Sequence, residues 1–220
     1  MPKRRLFSGP VPFLKPAVFV GSLFPFVALA IRAARGQLGA NPIATGLNQL
    51  GLVTLVFLVA SLACTPLKLL FGWTWPIRIR RMLGLFAFFY ALLHLATYSG
   101  IDQGFDWKAI LADVTQRKFI FVGFAAFVLL IPLAATSTDK MVRRLGFARW
   151  KLLHRSAYAA AVLGVIHFVW RVKKDLSQPA IFAVVLAALL AVRIVNSLGL
   201  LRRAQPKVAG QNRLANVNPD

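Results

Sequence analysis

The 220-residue chain has no glutamate, only six acidic residues, one cysteine and three histidines. All the acids are aspartates, at 102, 106, 113, 139, 175 and 220, and none falls inside an apolar run. That absence removes most proton-relay designs and most carboxylate metal sites from any membrane interior. A lone Cys64 excludes an intrachain disulfide, a zinc cluster, an iron–sulfur site and a C-x-x-C-H haem attachment; it reads as a small buried hydrophobe. No dinucleotide fingerprint and no P-loop is present, so nucleotide chemistry is not encoded.

What is abundant is apolar length and positive charge. Hydrophobic residues make up 58% of the chain and the mean hydropathy is +0.67, in runs near the length a helix needs to cross a bilayer. The fold class expected is an all-α integral membrane protein, a six-helix transmembrane bundle. The spans read as 11–31, 47–67, 82–99, 119–136, 155–170 and 180–200, within a membrane domain covering 11–200. Residues 1–10 form a short N-terminal segment, and the polar stretch 201–220 reads as a mobile tail. "MPKRR" with "ALA" at 28–30 also resembles a signal peptide with its cleavage site. A retained first helix is the favoured reading.

The net charge of +21 would suggest nucleic acid in a soluble protein. Here the Lys and Arg residues flank the spans, where topology and lipid headgroups account for them, and no nucleic-acid partner is expected. With the N-terminus inside, the inner segments hold eighteen cations and the outer ones eight. Both termini are therefore expected in the cytoplasm. Arg193, inside the last span, should face the bundle or snorkel inward.

His94, His154 and His167 all lie in or beside the third and fifth spans. His94 follows Arg81 by thirteen residues and His167 follows Arg155 by twelve. At about 1.5 Å per residue, both sit roughly 18–20 Å from the inner charged boundary. The two spans run in the same direction, so the imidazoles lie at one depth on the outer side. Ten, seven and three residues before His94 stand Gly84, Ala87 and Ala91; the same offsets before His167 give Ala157, Ala160 and Gly164. Side chains lean toward the helix N-terminus, so such a stripe offers a flat slot beneath each ring. Small residues at this spacing also serve plain helix packing. Two histidines at one depth with matched stripes favour a shared planar ligand such as a haem, held by His94 and His167.

His154 differs. At ~100° per residue it stands about 140° around an ideal helix from His167, near the cytoplasmic boundary. The matching positions on the third span are Arg80 and Arg81. It would serve an inner site, as ligand of a second haem or near a flavin, or simply bond headgroups or backbone. Arg78, Arg80, Arg81 and Arg155 suit pairing with propionates or phosphates. Tyr98, four residues after His94, suits either a role beside the ring or an interfacial aromatic belt.

Residues 63–98, "ACTPLKLLFGWTWPIRIRRMLGLFAFFYALLHLATY", and 146–170, "GFARWKLLHRSAYAAAVLGVIHFVW", carry a resemblance. They closely resemble the haem-binding membrane subunits of bacterial periplasmic methionine sulfoxide reductase systems, within the ferric-reductase-like transmembrane group. The resemblance implies a b-type haem electron-transfer subunit of the inner membrane, with one haem or two, rather than the catalytic subunit. It implies a periplasmic molybdopterin-containing methionine sulfoxide reductase as acceptor, serving repair of oxidised periplasmic proteins. It also implies an FMN association and input from the quinone pool or a cytosolic flavin reductase. Larger members of the group carry two histidines on each of two helices. This chain lacks the fourth, which leaves the second haem's ligand set open. The rival readings are a histidine-relay transporter or proton channel, and a passive membrane anchor.

Overall fold

The computed structural model describes residues 13–172 and 175–199. The expected segments 1–10 and 201–220 lie outside the described residues. Among the described residues nine α-helices follow one another: α1 (Leu14–Ala34), α2 (Pro42–Phe71), α3 (Trp75–Ala96), α4 (Trp107–Gln116), α5 (Lys118–Ala135), α6 (Asp139–Leu145), α7 (Phe147–Leu153), α8 (Ser156–Arg171) and α9 (Ser177–Ser197). A π-helical segment, Thr97–Asp102, continues α3. No strand occurs among the described residues.

Among the described residues six stretches are long and apolar enough to cross a membrane: Leu14–Ala34, Pro42–Phe71, Trp75–Asp102, Lys118–Ala135, Phe147–Arg171 and Ser177–Ser197. The expected count holds, but the fifth span is not the short 155–170 segment. It recruits α7 and runs for 25 residues with a break at His154 and Arg155. Side chains compete for carbonyls there: His154 Nδ1 bonds the Trp150 carbonyl at 3.1 Å and Ser156 Oγ that of Leu153 at 2.8 Å. The 140° offset computed for an unbroken helix therefore does not apply. Short helices α4 and α6 also emerge between spans, each started by a side-chain cap: Asp106 on the amides of Lys108 and Ala109, Thr138 on that of Met141.

Capping fixes where α2, the longest helix, begins and ends. Asn41 accepts the Ala44 amide at 3.0 Å ahead of Pro42, and α2 ends at Gly72, whose φ of 73° suits the left-handed cap. The helices pair as α2 on α3 and α5 on α8, with α9 across α8 and α2. Their shared core combines Leu55, Leu58 and Leu62 of α2 with Ala87, Ala91, Ala160, Ala161 and Leu186. Small residues at these contacts let backbones approach, which is how helices associate where lipid is as apolar as leucine.

Two polar contacts tie the outer helices to this core. Tyr90, fully buried, donates its hydroxyl to the Ser22 carbonyl at 2.6 Å and accepts the Phe26 amide at 3.1 Å. Those two groups are an i,i+4 pair beside Pro25, so the phenol sits in the backbone ladder of α1 next to its internal proline. Arg193 turns into the bundle, donating to Tyr158 Oη and to the Leu62 carbonyl, and lying 4.9 Å over the Tyr158 ring.

Candidate functional site

His94 on α3 and His167 on α8 meet at one end of the bundle, ring centroids 6.2 Å apart and planes at 84°. Each ring is held by a neighbouring helix. His94 Nδ1 lies 3.0 Å from the Leu47 carbonyl on α2, and His167 Nδ1 lies 2.7 Å from the Phe119 carbonyl on α5. A carbonyl can only accept, so both protons sit on Nδ1 and each Nε2 keeps a free lone pair. That is the arrangement of a metal-ligating histidine.

The separation has a simple reading. A metal–nitrogen bond of about 2 Å on each side, plus about 1.1 Å from nitrogen to ring centre, would place two imidazoles sharing one metal roughly 6 Å apart. No group of three or more His, Cys, Asp or Glu that could hold a metal ion occurs among the described residues. A metal chelated in a planar macrocycle would need only these two donors from the protein.

The expected slot residues divide into two sets. Ala87, Ala91 and Ala160 are buried in the core cluster, and Ala157 packs against it. Gly84 and Gly164 face α2: a methyl on Gly84 would lie 3.5 Å from Ser61 Oγ, and one on Gly164 would lie 3.4 Å from Leu55 Cδ1. The two glycines thus serve close helix packing.

His154 is not brought to this pair. It sits at the α7–α8 break, its ring stacked on Trp150 at 4.0 Å, and Trp150 Nε1 donates to the Thr136 carbonyl at 2.9 Å. Its Nε2 is buried without a hydrogen bond. Arg80 is half-buried nearby, and its carbonyl accepts Ser61 Oγ at 3.1 Å. Arg81 bridges to Asp139 at 2.5 Å, while Arg78 and Arg155 are exposed. Asp139 is exposed, and the hydrogen bond from Arg81 holds its carboxyl below the usual carboxylate range.

Residues 45–165 match the family model described as the ferric reductase like transmembrane component. The match takes in His94 and His154 and stops two residues short of His167. The chain is 59% identical over 179 residues to the protein-methionine-sulfoxide reductase heme-binding subunit MsrQ of Rhodospirillum rubrum, covering 81% of this chain and 86% of that protein. It is 52% identical to the MsrQ of Herminiimonas arsenicoxydans, over 82% of this chain and 84% of the relative. It is 50% identical to that of Deinococcus radiodurans, over 89% and 96%. This chain belongs to the MsrQ family.

It is accordingly a multi-pass membrane protein of the ferric-reductase-like group. Within this MsrQ-family chain, the groups that seat the two rings were not among those singled out from the sequence. A methyl on Gly51 of α2 would lie 3.3 Å from His94 Cε1, and one on Gly123 of α5 would lie 2.6 Å from His167 Nδ1. The available signal was a glycine isolated in an apolar helix, which marks close approach. Tyr98 points away from the rings and donates to Asp113 Oδ2 at 3.0 Å, while Asp113 Oδ1 pairs with Arg117 at 3.1 Å.

Proposed function

We propose that this chain is the haem-binding, electron-transferring membrane subunit of a periplasmic methionine sulfoxide reductase system. The observation that carries the reading is the His94–His167 pair, 6.2 Å apart, with Nδ1 of both rings tied to backbone carbonyls. His94 and His167 would hold haem b, which would supply one-electron transfer there. The Leu47 and Phe119 carbonyls orient the rings and make them more basic ligands. Lipid-facing apolar side chains exclude water, so the redox change meets little reorganising solvent.

We place the protein in the bacterial inner membrane, in contact with its lipid, with both termini cytoplasmic and the His94–His167 end periplasmic. The acceptor in this proposal is the periplasmic molybdopterin-containing reductase subunit. The donor is the quinone pool or a cytosolic flavin reductase, with FMN associated on the inner side. His154 is proposed as ligand of a second, inner haem, with Arg78, Arg80, Arg81 and Arg155 as cations for propionates or phosphates. Its buried, unbonded Nε2 supports that role.

The test is spectroscopic. Protein from haem-replete cells is purified in detergent, and oxidised and reduced absorption spectra are compared with those of H94A and H167A. The expected result is a bis-histidine b-type spectrum in the parent that is lost in both variants. A parent without haem would overturn the function and favour a passive anchor or a histidine relay. Haem retained unchanged in both variants would overturn the ligand assignment. In H154A the haem count per chain should fall by one; an unchanged count removes His154 as a ligand.

A further inference from the structure

Arg171 is the last residue of α8, four after His167 and so one turn further along the same face. A helical side chain leans back toward its own N-terminus, which brings this one over the turn that carries His167. The structure shows where it goes. The guanidinium Nη1 donates to Asn48 Oδ1 on α2, and its Cζ lies 5.7 Å from the centre of the Phe168 ring. Asn48 follows Leu47, whose carbonyl holds His94, and stands three residues before Gly51, which makes room for it. The bridge thus joins the helix that carries His167 to the segment of α2 that holds His94. Arg171 is half-buried.

We propose that Arg171, held by Asn48 across the rim of the His94–His167 pair, is a positioning residue whose fixed positive charge raises the reduction potential of the haem bound there. The inference rests on the haem reading above. Reduction adds one electron to the iron, and a nearby cation in a low-dielectric setting stabilises the reduced state. Removing the charge at a separation of about 10 Å and an effective dielectric near 20 should shift the reduced-to-oxidised ratio on the order of tenfold. That is about 59 mV for a one-electron couple.

The experiment is a redox titration of purified parent, R171Q, R171K and N48D, with haem content measured alongside. R171Q can still donate to Asn48 but carries no charge. Its midpoint should fall by about the amount above, with parent haem content, while R171K stays near the parent. N48D keeps Arg171 and neutralises it through an ion pair, and its midpoint should fall too. A midpoint unchanged in R171Q or N48D overturns the inference, as does an R171K midpoint as low as that of R171Q. Loss of haem from R171Q alone, with R171K normal and N48D lowered, supports it. Loss of haem from both Arg171 variants makes the residue merely structural and overturns it. A parent that holds no haem is a failure of the function proposed above, not of this inference.

Discussion

Replacing Gly123 with alanine should dislodge His167, whereas the same change at Gly51 should leave His94 in place. The new methyl at 123 would stand 2.6 Å from Nδ1, 2.9 Å from Cε1 and 3.1 Å from Cγ of the His167 ring. The first two are distances that a real Cβ essentially never shows, and the ring is pinned on that side by its 2.7 Å bond to Phe119. Overpacking of this kind costs about 1–3 kcal/mol, and breaking the hydrogen bond adds about 0.5–1.5 kcal/mol. The better helix propensity of alanine returns at most about 1 kcal/mol. The net, roughly 1–3 kcal/mol against the native ring position, lowers its population about 5- to 150-fold. At Gly51 the nearest ring atoms would be 3.3 and 3.4 Å away, a few tenths of an ångström of adjustment that the propensity gain offsets.

The assay is haem per chain and the reduced absorption spectrum of both variants, purified as monodisperse species in detergent. G123A should lose most of its haem or its bis-histidine spectrum, with G51A close to the parent. Parent-like haem and spectrum in G123A would refute the reasoning that Gly123 exists to seat His167. Equal loss in both would show that the distances do not govern the effect.

Two further outcomes follow from contacts away from that pair. Tyr90→Phe leaves the Ser22 carbonyl and Phe26 amide without their hydroxyl in a buried setting, at a cost of about 1–3 kcal/mol; thermal unfolding in detergent should show a lower midpoint, and a parent-like midpoint would count against the clamp. At Asp139 the carboxyl is held below its ordinary range by Arg81, so the pair's stabilisation is complete above the unfolded carboxylate pKa near 4 and is lost as pH falls through the depressed value. Unfolding midpoints measured from about pH 6 down to pH 3 should fall more steeply in the parent than in Asp139→Asn, by a small margin because the pair is exposed; identical slopes would refute the linkage.

The spans were legible because length and hydropathy are properties of the chain itself. The depth of His94 and His167 was legible too, since helical rise converts residue counts into height, and Arg193 faces inward because a cation in lipid has few other options. What escaped was set by neighbours. The stripes before each histidine were read along one helix, yet Gly84 and Gly164 are spent on α2, and the space for the rings comes from Gly51 and Gly123 on other helices. Nothing local in α2 or α5 announces which ring its glycine faces. The break at His154 was hidden for a different reason. No proline or glycine marks "LLHRSAY", and the helix yields only because His154 and Ser156 both turn back onto carbonyls of α7.

The same hydrogen bonds bear on the choice between an electron carrier and a proton relay. A histidine that relays a proton takes it at one ring nitrogen, releases it at the other, and then resets by tautomerisation or a ring flip. His94 and His167 each commit Nδ1–H to a backbone carbonyl, which has no proton to give and no side chain to rotate away. Only Nε2 remains available on either ring, so a proton arriving there has no second exit. Gly123 tightens the constraint, because a ring that would clash with one added methyl has little room to turn over beside it. Fixed tautomers and restricted rings hinder a relay and favour axial ligands, which must hold one orientation through both oxidation states.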